Sequence, residues 1–154
     1  MAVATQEVFQ RTDALCEVWD AGSATPQYTL LMKGGRPGVT LTDTKGVAKP
    51  DQVLYGAVKV TGITQPGYSN EAAKSVSAAG FGVGVATDGT WEFPSVVSTG
   101  TTPAPTSTAQ GTPVFVTGAG ALTLESSGNT RVGAVNYTAT YVKSAGTLPI
   151  KIGV

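Results

Sequence analysis

The segments of this chain whose residue types could do chemistry are rich in glycine. FVTGAGALTL at 115–124 places Gly118 and Gly120 at the first two positions of a dinucleotide-binding fingerprint. The third position is Thr123, and no helical pattern follows whose N-terminus would receive a pyrophosphate. GFGVG at 80–84 also lacks the required spacing. We therefore interpret both segments as strands and turns, in which glycine allows another backbone to pack closely.

A further candidate, MKGGRPG at 32–38, sets two cations around glycines and would suit a phosphate. It lacks the Gly-Lys-Ser/Thr ending through which a P-loop contacts phosphate and metal. A turn that carries solvated charges explains the same residues, and we prefer that interpretation.

Residues for acid–base catalysis are sparse. The chain has no histidine, which removes the commonest general base and the commonest metal ligand. Its 10 carboxylates are scattered, and no local pattern pairs them as a glycosidase would require. No Ser-x-x-Lys pattern offers a serine nucleophile a base. Cys16 is the single cysteine, so neither an internal disulfide nor a cysteine zinc site is expected. We predict a protein that is not an enzyme and that has no cofactor and no metal.

Three large aromatic residues, Trp19, Trp91 and Phe93, could stack on sugars or bases. Trp91 and Phe93 are two residues apart in a strand-like segment, so they share a face. Aromatic side chains dominate both cores and subunit interfaces, and either position explains them better than a ligand site does.

Composition narrows the class of partner. The chain has 154 residues, of which 41% are hydrophobic and only 13% charged, about half the usual share. Lys plus Arg balances Asp plus Glu, so nothing favours nucleic acid, whose binding requires a basic patch. No apolar run is long enough to span a membrane, and the N-terminal segment lacks the pattern of a signal peptide. We expect one domain over 1–154, made in a cytoplasm and suited to contact with another protein.

The elements that must position these residues are strands. Leu148, Ile150, Ile152 and Val154 alternate with polar or small residues, which is the period of a strand with one buried face. About nine such strands are indicated, the last long one running over 131–142. The sequence therefore predicts an all-β fold, a small β-barrel or β-sandwich.

Less regular segments complete this prediction. Residues 1–13 form an extended N-terminal arm, and the Thr/Pro-rich segment 98–113 forms a long surface loop or insertion. At most one or two short helices are expected, with 69–75 as the candidate. Two turns stand out: Gly34–Gly38 as a hairpin or tight corner, and Asp88–Gly89 between a strand at 81–86 and its antiparallel partner at 90–93.

The order of these elements resembles the small head decoration proteins, or capsid cement proteins, of tailed phages. Four segments carry the likeness over about two-thirds of the chain: LLMKGGRPGVTLTD at 30–43, GVATDGTWEFP at 84–94, AQGTPVFVTGAGALTLESSGNTRVGAV at 109–135, and LPIKIGV at 148–154. The segment from Lys45 to Ser77 fits poorly, and the insertion around 98–108 is longer than the family pattern.

The resemblance implies a structural role without catalysis. Such a protein would bind the outer surface of the expanded phage head as a homotrimer, with the major capsid protein as partner, and stabilise the head against the pressure of packaged DNA. It would be made in the host cytoplasm and reside on the virion. The capsid or subunit interface is expected to use Val3, Val8, Phe9, Trp19, Trp91 and Phe93, and the arm could add a strand to a capsid sheet.

Two alternatives remain open from the sequence. One is another phage structural component, such as a head-tail or tail-tube protein. The other is a module that binds glycans or host surfaces through Trp91, Phe93 and the Thr-rich loop.

Overall fold

The computed structural model describes residues 1–9, 16–44, 52–54, 58–60 and 81–154. Every regular element in these ranges is a β-strand, which confirms the predicted all-β class. The strands are β1 (Gln6–Phe9), β2 (Cys16–Asp20), β3 (Leu30–Lys33), β4 (Arg36–Thr40), β5 (Gln52–Leu54), β6 (Val58–Val60), β7 (Gly82–Ala86), β8 (Thr90–Phe93), β9 (Val97–Thr99), β10 (Thr102–Pro103), β11 (Pro113–Val116), β12 (Leu122–Thr123), β13 (Thr130–Val135) and β14 (Leu148–Ile152). The candidate helix at 69–75 and residues 10–13 of the arm lie outside the described ranges. Within those ranges no helix has the length and apolar character needed to cross a membrane.

The chain forms two compact units that alternate along the sequence. The first comprises Met1–Leu15, Tyr28–Val39 and Ala86–Val154, and the second comprises Cys16–Gln27 and Thr40–Val85. The expectation of one domain over the whole chain stays a prediction.

The first unit contains an eight-stranded sheet in the order β1-β8-β14-β13-β11-β12-β9-β10. Neighbouring strands of this sheet pair antiparallel, except for the parallel contact of β12 with β9. The sheet is curled, which is consistent with a barrel or a sandwich. Strands from both ends of the chain meet in it, so its stability depends on contacts that are distant in sequence.

One face of this sheet forms the core of the first unit. Ile150 of β14 pairs with Trp91 of β8, and Leu148 pairs with Phe93. All four side chains are fully buried, as is Ile152. Burial of a large apolar side chain contributes about 1.5–3 kcal/mol, so this row is a principal source of stability. The predicted row of Leu148, Ile150 and Ile152 is confirmed as buried, while on the opposite face Lys151 is exposed and Pro149 is buried as well.

The alternation stops before the last residue. Val154 lies beyond β14 and is 50% exposed, so its expected place on the buried face is wrong. Gly153 precedes it with a φ of 77°, a conformation that turns the chain out of the strand direction.

The predicted glycine turn is confirmed as a hairpin. β3 and β4 pair from Leu30 with Val39 to Lys33 with Arg36, and Gly34 and Gly35 connect them. Both glycines have positive φ, 58° and 79°, as the tight two-residue turn requires. The predicted turn, Gly34–Gly38, is longer than the observed one. β4 already begins at Arg36, because pairing with β3 continues as far as Lys33 and Arg36.

The Asp88–Gly89 turn does not close a hairpin. β8 pairs with β1 and β14, whereas β7 is a neighbour of β2. The turn is fixed by other contacts: Trp91 Nε1 donates to the Asp88 carbonyl at 3.0 Å, and the Ile152 amide donates to the Gly89 carbonyl at 3.0 Å. The Asp-Gly pair therefore predicted the turn correctly. The prediction that the two flanking strands pair with each other is wrong, because β7 and β8 lie in different sheets.

The Thr/Pro-rich segment 98–113 belongs to the sheet only in part, since residues 104–112 connect β10 to β11 without forming a strand. Its first half forms β9 and β10, and the Ala104 amide donates to the Val96 carbonyl at 2.8 Å. Ala104 is fully buried, and Thr108 is buried as well. Thr108 closes a turn by donating from its hydroxyl to the Pro105 carbonyl at 2.6 Å. Backbone contacts thus order a segment whose composition alone indicates flexibility.

The long strand predicted over 131–142 is shorter than expected. β13 ends at Val135, and residues 136–147 leave the sheet as a loop, which we call the Tyr loop. The Asn136 amide still donates to the Pro149 carbonyl at 2.9 Å. Alternating apolar residues continue through Tyr141, so periodicity alone could not mark the end of the strand.

The second unit contains buried threonines that form hydrogen bonds with one another and with the backbone. The Thr25 amide donates to Thr44 Oγ1 at 3.0 Å, and the Thr44 amide donates to the Thr25 carbonyl at 3.0 Å. The Gly84 amide donates to Thr42 Oγ1 at 3.1 Å. Reciprocal bonds of this kind satisfy groups that would be costly to bury alone. β5 and β6 form a separate antiparallel pair.

Candidate interaction surfaces

Two of the predicted interface aromatics lie in the core of the first unit. Trp91 and Phe93 are fully buried. The Trp91 ring packs against Tyr28 with ring centroids 5.8 Å apart, and its indole nitrogen is satisfied by the Asp88 carbonyl. Neither side chain can reach a partner on the surface, so their assignment to an interface or a glycan site is corrected to the core.

Trp19, in the second unit, is buried in the same way, with 2% of its surface exposed. Its indole nitrogen donates to Glu17 Oε2 at 2.8 Å. This bond satisfies the polar end of a side chain whose rings are enclosed, which is the usual arrangement of a core tryptophan.

The N-terminal residues belong to the protein's own sheet. Gln6 and Glu7 of β1 pair with Glu92 and Trp91 of β8. The predicted arm is thus an edge strand as far as residue 9. An edge strand is the natural pairing site for another chain.

The three predicted interface residues of this segment differ in their surroundings. Val3 is 42% exposed and forms a β-bridge with Thr29, while Val8 is half-buried. The side chain of Phe9 lies outside what the structure describes. Only Val3 of the six predicted residues is shown as an exposed apolar side chain.

The outer face of β8 carries a polar cluster that the sequence did not predict. Glu92 Oε1 accepts a hydrogen bond from Thr5 Oγ1 at 2.8 Å, and Glu92 Oε2 accepts one from the Tyr141 hydroxyl at 2.8 Å. Burial is the main cause that raises the pKa of Tyr141 to about 12, followed by the hydrogen bond to Glu92 and its negative charge. These bonds fasten the Tyr loop and the N-terminal segment to the same strand.

A second set of contacts holds the rest of the Tyr loop. Lys143 Nζ donates to the Tyr137 hydroxyl at 2.7 Å and to the Thr108 carbonyl at 3.1 Å. The rings of Tyr137 and Tyr141 stack with centroids 6.3 Å apart. The Tyr137 amide donates to Gln110 Oε1 at 2.8 Å. The polar atoms of the cluster are directed at one another, so we interpret it as a brace that gives the loop one conformation.

The surface around β9 and β10 has a different character. No charged residue occurs between Glu92 and Glu125. Within this stretch Thr99, Gly100 and residues 101–103 are exposed, and β10 stands at the opposite end of the sheet from β1. We call this surface, residues 97–103, the neutral edge. Depletion of charge is typical of the centre of protein–protein interfaces, because few charges must be removed from water there.

Metal-binding groups do not converge in the described ranges, where no three Asp, Glu or Cys side chains come together. Sequence reasoning missed the Tyr loop cluster because its members lie at 5, 92, 108–110 and 136–143. Only the sheet order brings these positions into contact.

Comparison of the chain with protein-family models, with curated proteins and with solved structures found no match. The arrangement of the sheet and its surfaces therefore carries the functional argument.

Proposed function

We propose that this chain is a capsid decoration protein, which binds the outer surface of an expanded phage head as a trimer and stabilises the head against the pressure of packaged DNA. Its partners would be the major capsid protein and two further copies of itself. It would act by adhesion alone, and its place would be the outside of the virion.

One observation carries most of this proposal. Three of the four segments that resemble decoration proteins, 84–94, 109–135 and 148–154, supply four consecutive strands of one sheet, β8-β14-β13-β11. The fourth, 30–43, supplies the β3–β4 hairpin. The three segments of this sheet are separated by up to about a third of the chain, yet their strands are adjacent. The resemblance therefore follows neighbouring strands, which supports a shared role more than scattered turn motifs would.

The neutral edge is the surface we assign to the capsid contact. It offers backbone groups of an outer strand together with threonine and proline side chains, and no charge of its own. Binding here would bury hydroxyl and apolar groups at small desolvation cost. If the expanded lattice alone presents the complementary surface, binding stabilises that state by mass action.

Co-sedimentation with heads tests the proposal directly. The major capsid protein encoded in the same genome is assembled into shells, and half of the sample is expanded. The purified chain should sediment with expanded shells in a saturable manner and much less with unexpanded ones. Equal absence from both pellets would contradict the proposal.

A charge placed in the neutral edge tests the assigned surface. Thr102→Lys should reduce binding to expanded shells by about tenfold or more, because the interface would enclose an unpaired cation. Ala139→Lys places the same charge on the exposed Tyr loop and should bind like the unmodified chain. Equal loss in both variants would show that charge anywhere weakens binding and would remove the assignment to this edge.

A further inference from the structure

Two tyrosine rings of the Tyr loop lie next to each other. Tyr137 and Tyr141 stack with ring centroids 6.3 Å apart and ring planes inclined by 28°. A turn brings them together, because the Tyr141 amide donates to the Thr138 carbonyl at 3.1 Å and returns the chain toward Tyr137. Both tyrosines are half-buried and residues 138–140 between them are exposed, so the pair is partly open to solvent.

The two phenols have charged neighbours of opposite sign. The Tyr141 hydroxyl donates to Glu92 Oε2 at 2.8 Å. The Tyr137 hydroxyl accepts from Lys143 Nζ at 2.7 Å, and the same ammonium lies 3.9 Å from the centroid of the Tyr137 ring. Attraction between the cation and the ring adds to this hydrogen bond. A proton acceptor therefore lies at Tyr141, and a cation fixes the ring at Tyr137.

This arrangement suits the oxidative coupling of two phenols. A neutral phenol that gives up an electron also gives up its hydroxyl proton, and a base within hydrogen-bond reach assists that transfer. Glu92 is in this position for Tyr141. Two phenoxyl radicals then join through ring carbons beside their hydroxyl groups, and rings that are already neighbours meet at high effective concentration.

We propose that Tyr137 and Tyr141 are an oxidative cross-linking site, at which a haem peroxidase with hydrogen peroxide forms a dityrosine bond. Each phenol gives up one electron and one hydroxyl proton, the Tyr141 proton to Glu92 and the Tyr137 proton to solvent. A carbon–carbon bond forms between the ring carbons ortho to the hydroxyls. Each of these carbons then loses its hydrogen as a proton, and each oxygen regains one. The chain loses two hydrogen atoms in total, and the peroxide takes up two electrons and two protons to become two water molecules.

The contacts of the described tyrosines select this pair. Tyr28 packs against Trp91, with ring centroids 5.8 Å apart, and so provides no second phenol for coupling. A covalent bond between the rings of Tyr137 and Tyr141 would hold the Tyr loop in place even when the hydrogen bond to Glu92 is broken. The inference stands independently of the proposed function, because the reaction takes place within one chain.

The test treats the whole chain, in dilute solution, with a haem peroxidase and hydrogen peroxide. The tryptic peptide 132–143 contains both tyrosines, so its mass should decrease by two hydrogen atoms and it should show the blue fluorescence of dityrosine. Tyr137→Phe and Tyr141→Phe should each abolish this product, and Tyr28→Phe should form it like the unmodified chain. Cross-links found only at other tyrosines or between chains would refute the proposal.

Glu92→Gln tests the proton acceptor. The glutamine amide oxygen can still accept the Tyr141 hydrogen bond but is not a base, so the initial rate of cross-linking should fall by about tenfold or more. Glu125→Gln removes an exposed carboxylate elsewhere and should leave the rate unchanged. An unchanged rate in Glu92→Gln would overturn the assigned proton transfer.

A capped peptide of residues 132–143 separates the effect of the fold from that of sequence spacing. It carries the same two tyrosines without Glu92 or the sheet, and should cross-link at least about tenfold more slowly than the folded chain. An equal rate in the peptide would show that spacing alone is sufficient and would overturn the assignment to the folded site. Thermal unfolding of each variant checks that its fold is intact.

Discussion

At the scale of single residues, Glu92 has a role that its position in a strand does not reveal. It is the common acceptor for Thr5 and Tyr141, which approach it from opposite ends of the chain. A sequence reader sees Glu92 as a surface carboxylate, and the structure shows it as the anchor of two segments. No local signal in the sequence predicted its partners.

The Tyr141 hydroxyl provides a measurable consequence. Its pKa of about 12 lies above the ordinary value of 10.0. The protonated hydroxyl therefore contributes fully to the free energy of unfolding below about pH 10, and this contribution is lost as the pH rises through 12. Ultraviolet titration of phenolate should show a late ionisation that disappears in Tyr141→Phe. In Glu92→Gln it should occur at lower pH, although burial keeps it above 10.

Glu125→Gln is the control for that titration, because Glu125 is exposed and follows β12, which is not adjacent to β8 in the sheet. Its titration curve should match that of the unmodified chain. An unchanged late ionisation in Glu92→Gln would contradict the contribution of Glu92 to the pKa.

At the scale of elements, the packing of β13 against β14 depends on a glycine. A Cβ atom at Gly133 would collide with the Lys151 carbonyl of the paired strand. Gly133→Ala should therefore lower the free energy of unfolding by about 1–3 kcal/mol, because the two strands must separate to accommodate a methyl group. Urea denaturation measures this loss.

Gly118→Ala is the matched control for this substitution. A Cβ atom there would meet nothing within 4 Å, and Gly118 is not among the glycines with positive φ. Its free energy of unfolding should change by no more than about 0.5 kcal/mol. Similar losses in both variants would mean that the effect belongs to glycine replacement in general rather than to the contact with Lys151.

Elements also show where prediction from sequence succeeded. Period-two alternation identified β14, and paired glycines identified the β3–β4 turn, because both signals are local. The partner of β8 could not be predicted, since β1 and β14 come from opposite ends of the chain. The strands β9 and β10 were not predicted either. Their backbone contacts beyond the β9–β10 pair involve Val96, Leu124 and Gly146, and the last two are distant in sequence.

At the scale of the whole molecule, the proposed assembly is a trimer. Light scattering of the purified chain should give about three times 15.5 kDa, independent of concentration over the range used for shell binding. We expect trimers because three linked contacts gain avidity on a lattice with threefold points. A monomer that forms trimers only on shells would change the order of assembly, and a stable dimer would contradict the proposal.

The fold class followed from composition and periodicity, whereas the surfaces did not. Trp19, Trp91 and Phe93 were candidates for an interface because large aromatics are common there, yet the sheet encloses them. A surface is defined by which strands are adjacent, and adjacency is a property of the complete chain.

No side chain of residues 93–124, between Glu92 and Glu125, is charged. This bears on how binding through that segment would respond to salt and pH. Residues 97–103 themselves would bring no charged or titratable side chain to an attachment site. The strength of such an attachment should then be nearly the same in dilute buffer and in concentrated brine, and in mild acid and mild base. Such a protein could remain attached while its surroundings change.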